Sequence, residues 1–368
     1  MIPINKPQID DDERREILEV LDEGILTSSS NLGGKRVRDF EGLLANFLHV
    51  KHAIAVNSGT AALHASILAL GIKEADEILI PSFTFVATAN SVACTGAKPV
   101  FVDIEKDTYT MDPADLEKKI TRRTRAIIPV HLYGHPAKMD EIQEIANRHT
   151  LMIIEDACQS LGSTFDGKQT GTFGQVGCFS MYASKVLTSG EGGAISTNND
   201  ELADKLRMIR NHGMVNGYDT RMVGFNMRLP EISAAIAKAQ MKKIQFMLEK
   251  RTINANKLGQ LLGRRADSMD IVLPRENKGI KHNWYLYTVA FNNYRDKVKK
   301  FLNDNGIGAT IYYDPPVHQT PYYSKFDNGQ LHKTEWASKR VLSLPVHPSI
   351  TENDIEYVAT KVVEILRT

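Results

Sequence analysis

Residues 151–160 read LMIIEDACQS, and this stretch is an apolar run that ends in two carboxylates. The run from Leu151 to Ile154 is continuously apolar rather than alternating, as is AIIPV at residues 126–130. Such runs are typical of strands that are covered on both faces, as in a parallel sheet. We therefore predict a buried strand that carries Asp156 at its carboxyl end.

Similar short apolar runs alternate with longer segments of helical period, which is the pattern of βαβ units and a mainly parallel sheet. The predicted strands are HAIAV (52–56), EILIP (77–81), KPVFVDI (98–104), RAIIPVHL (125–132), LMIIEDA (151–157), GCFSM (177–181) and GGAIST (192–197). The predicted helices are GTAALHASILALG (59–71), TFVATANSVACTG (84–96), DPADLEKKI (112–120), KMDEIQEIANRH (138–149) and DELADKLRMIRNHG (200–213). The predicted fold class is α/β.

The pattern changes near residue 245. A long amphipathic stretch at residues 231–262 is followed by one apolar run, WYLYTVAFN, and by two further helical segments. Fewer strands with interleaved helices predict a smaller α+β domain that packs on the first. The predicted domains are residues 1–245, with an N-terminal helix and arm, and residues 246–368.

Composition excludes several classes of protein. Of the 368 residues, 42% are hydrophobic and 24% are charged, which is ordinary for a globular chain and argues against disorder. A formal net charge of +1 provides no general attraction to nucleic acid or to an anionic membrane. No apolar run approaches the ~20 residues of a membrane-spanning helix, and the first residues lack the pattern of a signal peptide. We expect a cytoplasmic protein without nucleic-acid or membrane partners.

The three cysteines are Cys94, Cys158 and Cys178. They lie in apolar contexts, without CxxC or histidine spacing. We predict buried thiols rather than a disulfide framework, and no metal site.

Lys185, within CFSMYASKVLTSGEGGAIS (178–196), is the natural chemical partner of Asp156. An amine that forms a Schiff base and a carboxylate that keeps a pyridine nitrogen protonated are the two requirements of a pyridoxal phosphate site. The alternative is that Asp156 merely ends a strand and that Lys185 is a solvated side chain beside a glycine-rich turn. The pair alone leaves both interpretations open.

A phosphate site is expected where the first predicted strand runs into Ser58, Gly59 and Thr60 at the start of a helix. Free backbone N–H groups and the helix dipole favour an anion there. An ordinary Ser/Thr helix cap is the alternative.

Three further side chains could meet the same cofactor. Phe85 lies at a strand's carboxyl end, where ligands bind in open α/β sheets, and could stack on the pyridine ring. Gln159 could reach the phenolic oxygen, and Ser180 could donate to the phosphate. The alternatives are a core phenylalanine and ordinary polar residues at a strand edge.

Six segments resemble the DegT/DnrJ-type sugar-nucleotide aminotransferases, and they occur in that family's order. They are NSGTAAL (57–63), PSFTFVATAN (81–90), IIEDACQSLGS (153–163), CFSMYASKVLTSGEGGAIST (178–197), GFNMRLPEISAAIAKAQ (224–240) and VLSLPVHP (341–348). The resemblance extends over nearly the whole chain. It implies a fold-type I pyridoxal phosphate transferase with a seven-stranded, mostly parallel sheet and a smaller C-terminal domain. It also implies a homodimer whose active sites are shared between subunits.

The resemblance also implies a role for each matching residue. Lys185 and Asp156 are the catalytic pair. The other residues expected to bind the cofactor are Gly59, Thr60, Phe85, Gln159, Ser180 and Asn226, with Asn226 reaching the phosphate held by the other subunit. Arg228 is expected to hold an anionic substrate, with an exposed structural arginine as the alternative.

The implied reaction is a transamination in aminosugar and polysaccharide biosynthesis. Glutamate gives up its amino group and leaves as 2-oxoglutarate, and a nucleoside-diphosphate keto sugar receives the amine. The segments TSGEGG (188–193) and YGHPAKMD (133–140) resemble relatives that aminate C4 of a 4-keto-6-deoxy sugar, including perosamine synthases. The loop with Tyr313 and His318 departs from the family pattern, so these two residues are candidates for contact with the substrate.

Two other functions stay open at this point. One is a pyridoxal phosphate aminotransferase for another cyclic ketone, such as a cyclitol. The other is a non-catalytic regulatory protein that binds pyridoxal phosphate, although a pure binder has no need of a proton-shuttling lysine.

Overall fold

The structure is a computed structural model that describes residues 1–266, 271–326 and 329–367. Its strands are β1 (His52–Val56), β2 (Glu77–Pro81), β3 (Lys98–Val102), β4 (Thr124–Ile127), β5 (Met152–Asp156), β6 (Thr164–Phe165), β7 (Lys168–Gln169), β8 (Val176–Ser180), β9 (Gly193–Thr197), β10 (Ile271–Val272), β11 (Ile280–Lys281), β12 (Tyr287–Phe291) and β13 (Val341–Leu344). Its α-helices are α1 (Asp11–Glu23), α2 (Lys35–Leu48), α3 (Gly59–Ala69), α4 (Ala87–Ala93), α5 (Pro113–Lys118), α6 (Met139–His149), α7 (Asp200–Arg210), α8 (Glu231–Lys242), α9 (Ile244–Ala266), α10 (Arg295–Asp304), α11 (His332–Ser338) and α12 (Glu352–Ile365).

The central element is a seven-stranded sheet with the order β1-β9-β8-β5-β4-β2-β3. Each of the seven predicted apolar runs overlaps one of these strands, although β4 and β8 begin one residue before the predicted run. All neighbours pair in parallel except that β9 runs antiparallel to both β1 and β8. The predicted seven-stranded, mostly parallel sheet flanked by helices is confirmed.

The carboxyl ends of the parallel strands meet at one edge of the sheet. Asp156 ends β5, Ser180 ends β8, and the turn after β1 leads into α3 at Gly59. In sequence these residues are far apart, but β1, β5 and β8 run in the same direction and end at the same edge of the sheet, which brings them together.

The C-terminal third contains a small antiparallel sheet, β10-β12-β13. The long amphipathic stretch forms two helices, α8 and α9, which are separated at Lys243. Near its start, α9 packs Met247 and Leu248 against the core that holds Phe179 of the large sheet, and further along it packs Leu258 in the C-terminal core. The predicted domain boundary at residue 245 therefore lies at the helix that both cores share, and it stays a prediction.

The N-terminal arm, residues 2–8, lies on the C-terminal region rather than in solvent. The Ile2 N–H donates to the Gly306 carbonyl at 2.7 Å, and the Gly308 N–H donates to the Ile2 carbonyl at 2.7 Å. A side chain at Gly308 would place its Cβ 2.6 Å from the Ile4 nitrogen. The absence of a side chain at Gly308 is what lets the arm lie this close.

Two predictions about surface and solvent can be compared with the structure. No helix among the described residues is long and apolar enough to cross a membrane. Cys178 is buried and Cys158 is half-buried, but Cys94 is exposed, so the prediction of a buried thiol is wrong there. Cys94 caps the C-terminal end of α4, and its side chain is not covered by the apolar residues before it.

Candidate active site

A cavity of about 750 Å³ opens at the carboxyl edge of the large sheet. It brings together nine of the residues that the sequence singled out for a site: Ser58, Gly59, Thr60, Phe85, Asp156, Gln159, Ser180, Lys185 and Tyr313. The rest of its lining is Leu63, Thr84, Ala87, Thr88, Cys158, Tyr182, Ser184, Glu191, Tyr285 and Tyr312.

Asp156 is held rigidly at the inner wall of this cavity. The residue is only 5% exposed. The Thr88 hydroxyl donates to Oδ2 at 2.8 Å, and the Cys158 N–H donates to Oδ1 at 3.2 Å. Because Thr88 uses its proton on Asp156, the neighbouring Thr84 hydroxyl, 2.9 Å away, donates to Thr88. These hydrogen bonds fix the orientation of the carboxyl group.

Lys185 lies in the loop between β8 and β9. Its N–H donates to the Tyr182 carbonyl at 2.9 Å, which forms a tight turn. Its Nζ lies 4.7 Å from the ring centroid of Tyr285, within the range of a cation–π contact. The amine is half-buried and therefore reachable from the cavity.

The start of α3 has the geometry of an anion cradle. Ser58 caps the helix, accepting from the Ala61 N–H at 3.0 Å. A Cβ on Gly59 would lie 2.9 Å from both Cys158 Sγ and Ser180 Cβ, so only glycine fits without displacing the wall. The N–H groups of the first helical turn precede the intrahelical ladder and are available to a phosphate.

Phe85 and Gln159 form another part of the lining. Phe85 is 56% exposed although it is a large apolar side chain, and its ring lies 6.2 Å from that of Tyr313. The Gln159 amide is fixed at both ends: its Oε1 accepts from the Tyr133 N–H at 2.8 Å, and its Nε2 donates to the Tyr313 hydroxyl at 3.0 Å. Burial, together with nearby Tyr285, raises the pKa of Tyr313 well above its usual value, so this hydroxyl stays protonated.

Three predicted site residues do not line this cavity. Asn226 is exposed, and its carbonyl accepts from the Asn57 side chain at 3.3 Å. Arg228 donates to the Asn211 Oδ1 at 2.8 Å.

His318 is the third of them and is 6% exposed. Its backbone N–H donates to the Ser82 hydroxyl oxygen at 3.1 Å, and its Nδ1 forms a second hydrogen bond of 2.6 Å with the same hydroxyl. Burial lowers the pKa of His318. The geometry gives no support to a substrate contact at His318, which ties its loop to the end of β2.

Several lining residues were missed by the sequence analysis. Thr88 lies one helical turn after Phe85, so the same segment contained the signal for it. Tyr285 and Ser184 had no comparable signal, because what distinguishes them is a tertiary contact, 3.2 Å between their hydroxyl oxygens.

The cavity fits pyridoxal phosphate on four independent grounds. It offers an amine, a buried carboxylate, an aromatic ring with an exposed face, and a glycine whose missing side chain leaves space beside a helix N-terminus. By contrast, no cluster of His, Cys, Asp or Glu suited to a metal ion occurs in residues 1–266, 271–326 and 329–367.

Comparison with known proteins agrees with this chemistry. The sequence model of the DegT/DnrJ/EryC1/StrS aminotransferase family matches residues 7–363. A pleiotropic regulatory protein of Geobacillus stearothermophilus is 39% identical over 372 residues, which is 99% of both chains. The GDP-perosamine synthase of Caulobacter vibrioides is 38% identical over 371 residues, 99% of this chain and 98% of that one.

A third relative, the UDP-N-acetyl-3-dehydro-α-D-glucosamine 3-aminotransferase of Acidithiobacillus ferrooxidans, is 39% identical over 338 residues, 91% of this chain and 90% of that one. The crystal structure of NtdA from Bacillus subtilis, with the cofactor PMP bound, has a TM-score of 0.89 and 34% identity, covering 98% of this chain and 83% of that one. The predictions of a fold-type I aminotransferase and of a pyridoxal phosphate cofactor are confirmed. With a match over nearly its full length and a cavity of the right chemistry, the chain belongs to the DegT/DnrJ/EryC1/StrS aminotransferase family.

Proposed function

We propose that this protein transfers the amino group of glutamate to C4 of a 4-keto-6-deoxy sugar that is linked to a nucleoside diphosphate, in aminosugar and polysaccharide biosynthesis. The observation that carries the proposal is the convergence of Lys185, Asp156 and the exposed ring of Phe85 on one cavity. The likeness to a GDP-perosamine synthase supports a sugar nucleotide as the acceptor.

When bound, pyridoxal phosphate supplies a conjugated ring that takes up the electron pair released as a C–H bond next to nitrogen breaks. Lys185 moves the proton. Its Nζ takes the proton from the Cα of glutamate and, in the second half of the reaction, gives a proton to the carbon of the sugar that becomes aminated. The Tyr285 ring, whose centroid lies 4.7 Å from Nζ, packs beside the amine and limits where it can move.

Asp156 is assigned to the ring nitrogen. Its carboxylate is buried and accepts from two fixed donors, the Thr88 hydroxyl and the Cys158 N–H. When the cofactor is bound, this carboxylate would partner the protonated ring nitrogen, where electron density collects. Phe85 would stack on the ring, and the α3 N-terminus with Thr60 and Ser180 would hold the phosphate.

Four tyrosines give the mouth of the cavity its sugar-binding character: Tyr182, Tyr285, Tyr312 and Tyr313. Burial raises the pKa of Tyr312 to about 12, so its hydroxyl donates hydrogen bonds at neutral pH. Aromatic faces with hydroxyl tips suit a sugar ring, which has apolar faces and polar edges. Tyr313 stays a candidate for substrate contact, and Arg228 is proposed to hold an anionic part of the substrate.

We also propose that the active enzyme is a homodimer with shared sites. Asn226 is exposed and does not line the cavity of its own subunit, as we expect of a residue that reaches into the partner's. The loop around it exposes apolar side chains, with Tyr218 98% and Val223 79% exposed. Exposed apolar side chains of this kind are typical of interfaces.

Two alternatives have an observation in their favour. Amination at C3 is favoured by the likeness to a 3-aminotransferase. A regulatory role is favoured by the likeness to a pleiotropic regulatory protein. A cyclitol or another cyclic ketone would fit the same cavity chemistry.

One experiment separates these possibilities. The visible absorbance of the purified protein is recorded before and after glutamate, and then after each of a panel of nucleotide-linked 3-keto and 4-keto sugars and a ketocyclitol. The proposal expects glutamate to abolish the band of the lysine-bound cofactor and a 4-keto-6-deoxy sugar to restore it, with NMR placing nitrogen on C4.

Lys185→Ala is expected to lose both responses, whereas Lys118→Ala, an exposed lysine on α5, keeps them. Nitrogen on C3 would show amination at C3 instead. Restoration of the band by the ketocyclitol alone would show that the acceptor is a cyclitol. No response to glutamate would contradict the proposed transamination and favour the regulatory role.

A further inference from the structure

The carbonyl and hydroxyl of Ser184, the residue before Lys185, are not bonded within their own loop. The Ser184 carbonyl accepts from the Asn5 side-chain amide, and the Ser184 hydroxyl lies 3.2 Å from that of Tyr285. Asn5 belongs to the N-terminal arm and Tyr285 to the C-terminal region. The backbone that carries the reactive amine is therefore anchored by two distant parts of the chain.

Asn5 and Tyr285 are in turn held by one side chain, Arg251 of α9. The Arg251 guanidinium donates to the Asn5 Oδ1 at 2.9 Å, to the Tyr285 carbonyl at 3.1 Å and to the Trp284 carbonyl at 3.3 Å. All three acceptors are neutral oxygens, and two of them belong to residues that contact Ser184.

Burying the Arg251 guanidinium in this position lowers the stability of the folded protein. Arg251 is 2% exposed, and no carboxylate forms a salt bridge with it in the part of the chain that the structure describes. Burial lowers the pKa of Arg251 to about 10, so it is still charged at neutral pH. A buried charge without an anionic partner is unfavourable, so its retention points to a positional task.

We propose that Asn5 is a positioning residue for Lys185: its amide, oriented by Arg251 on one side, donates to the Ser184 carbonyl on the other and fixes the backbone from which the amine projects. This inference rests on the proposed role of Lys185. Asn5 touches neither substrate nor cofactor, because it does not line the cavity.

The two functions of the Asn5 amide can be separated. In Asn5→Asp, a carboxylate oxygen still accepts from Arg251, and its charge strengthens that hydrogen bond. The variant has no side-chain N–H to donate to the Ser184 carbonyl. Asn5→Ala lacks both. If Asn5 only fastens the arm to the protein, Asn5→Asp behaves like wild type. If it positions Lys185, both variants are impaired.

The matched control is Gln8→Ala. Gln8 lies on the same arm and accepts from the Ser349 hydroxyl at 2.6 Å, but it has no contact with residues 184–185. Its loss loosens the arm without removing the donor to Ser184.

The readout is the rate at which the apoenzyme captures pyridoxal phosphate at Lys185, followed by absorbance and verified by borohydride reduction and peptide mass analysis. Thermal unfolding is recorded in parallel. Asn5→Asp and Asn5→Ala are expected to slow capture about 10-fold, the effect of one lost hydrogen bond. Gln8→Ala is expected to stay within about twofold of wild type even if its melting temperature falls.

Capture at the wild-type rate by Asn5→Asp overturns the proposal, as does an equal slowing by Gln8→Ala. Failure of the proposed function itself gives a different result, since the borohydride-reduced cofactor would then be found on a residue other than Lys185 in the wild-type protein.

Discussion

His347, in the loop after β13, is expected to make stability depend on pH in a defined range. The side chain is 2% exposed, and burial, with the nearby cations of Arg251 and Lys6, lowers the pKa of His347 to about 4, against opposing contributions from the Pro3 carbonyl and Asp354. In the unfolded chain the pKa returns to about 6.5. Between these values the unfolded state binds a proton that the folded state does not, so stability falls as pH falls from about 6.5 toward 4.

The size of the effect follows from the two pKa values. Going from pH 7.5 to pH 5, His347 alone costs about 2 kcal/mol of folding free energy. For a chain of this length that corresponds to a decrease of about 3 °C in melting temperature. His347→Gln keeps a polar side chain of similar length but removes the titration, so the variant should lose about 3 °C less than wild type over the same pH interval.

The assay is thermal unfolding of both proteins across this pH range, followed by circular dichroism. Four other histidines with lowered pKa values, His64, His135, His282 and His318, are common to both proteins and cancel in the difference. Identical pH slopes in wild type and His347→Gln would refute the assignment of a depressed pKa to this residue.

Further predictions concern the active site. Asp156→Asn is expected to reduce turnover severely. Thr88→Val, which removes a donor to that carboxylate, is expected to reduce turnover roughly 10-fold or more without changing the fold. Turnover is measured by the glutamate half-reaction and the fold by circular dichroism, and near-wild-type turnover of either variant would contradict the role of the carboxylate. Gly59→Ala is expected to weaken cofactor binding at least ~10-fold, because its Cβ would lie 2.9 Å from Cys158 Sγ. The control is Gly42→Ala in α2, where a Cβ meets no atom within 4 Å, so affinity should be unchanged and stability should rise by about 1 kcal/mol.

The large sheet could be predicted from sequence because its signal is local. Continuously apolar runs such as AIIPV can be satisfied only by burial on both faces, and all seven runs became strands. The short strands β6, β7 and β11 have two residues each and form a small sheet of their own, and sequences this short have no periodicity to detect.

The inner wall of the site was predictable for a similar reason. Asp156, Gly59 and Ser180 lie at the strand ends, and the topology of a parallel sheet brings those ends together. The roles of Tyr285 and Asn5 could not be predicted. Tyr285 lies in a predicted apolar run and Asn5 in the N-terminal arm, and neither position indicates the contact with Ser184, which forms across the chain. His318 lies in a loop that departs from the family pattern, but in the structure it is bonded to Ser82 and does not line the cavity, so its contact with the substrate stays a prediction.

The closure of the N-terminal arm onto the C-terminal region has a consequence for the order in which the protein assembles. Gln8 pairs with Ser349, 341 positions later, and Asn5 pairs with Arg251, 246 positions later. During synthesis the arm leaves the ribosome long before the residues that it binds, and contacts so distant in sequence form slowly. The Arg251 contact that orients Asn5 beside Lys185 can therefore form only after 246 further residues have been translated.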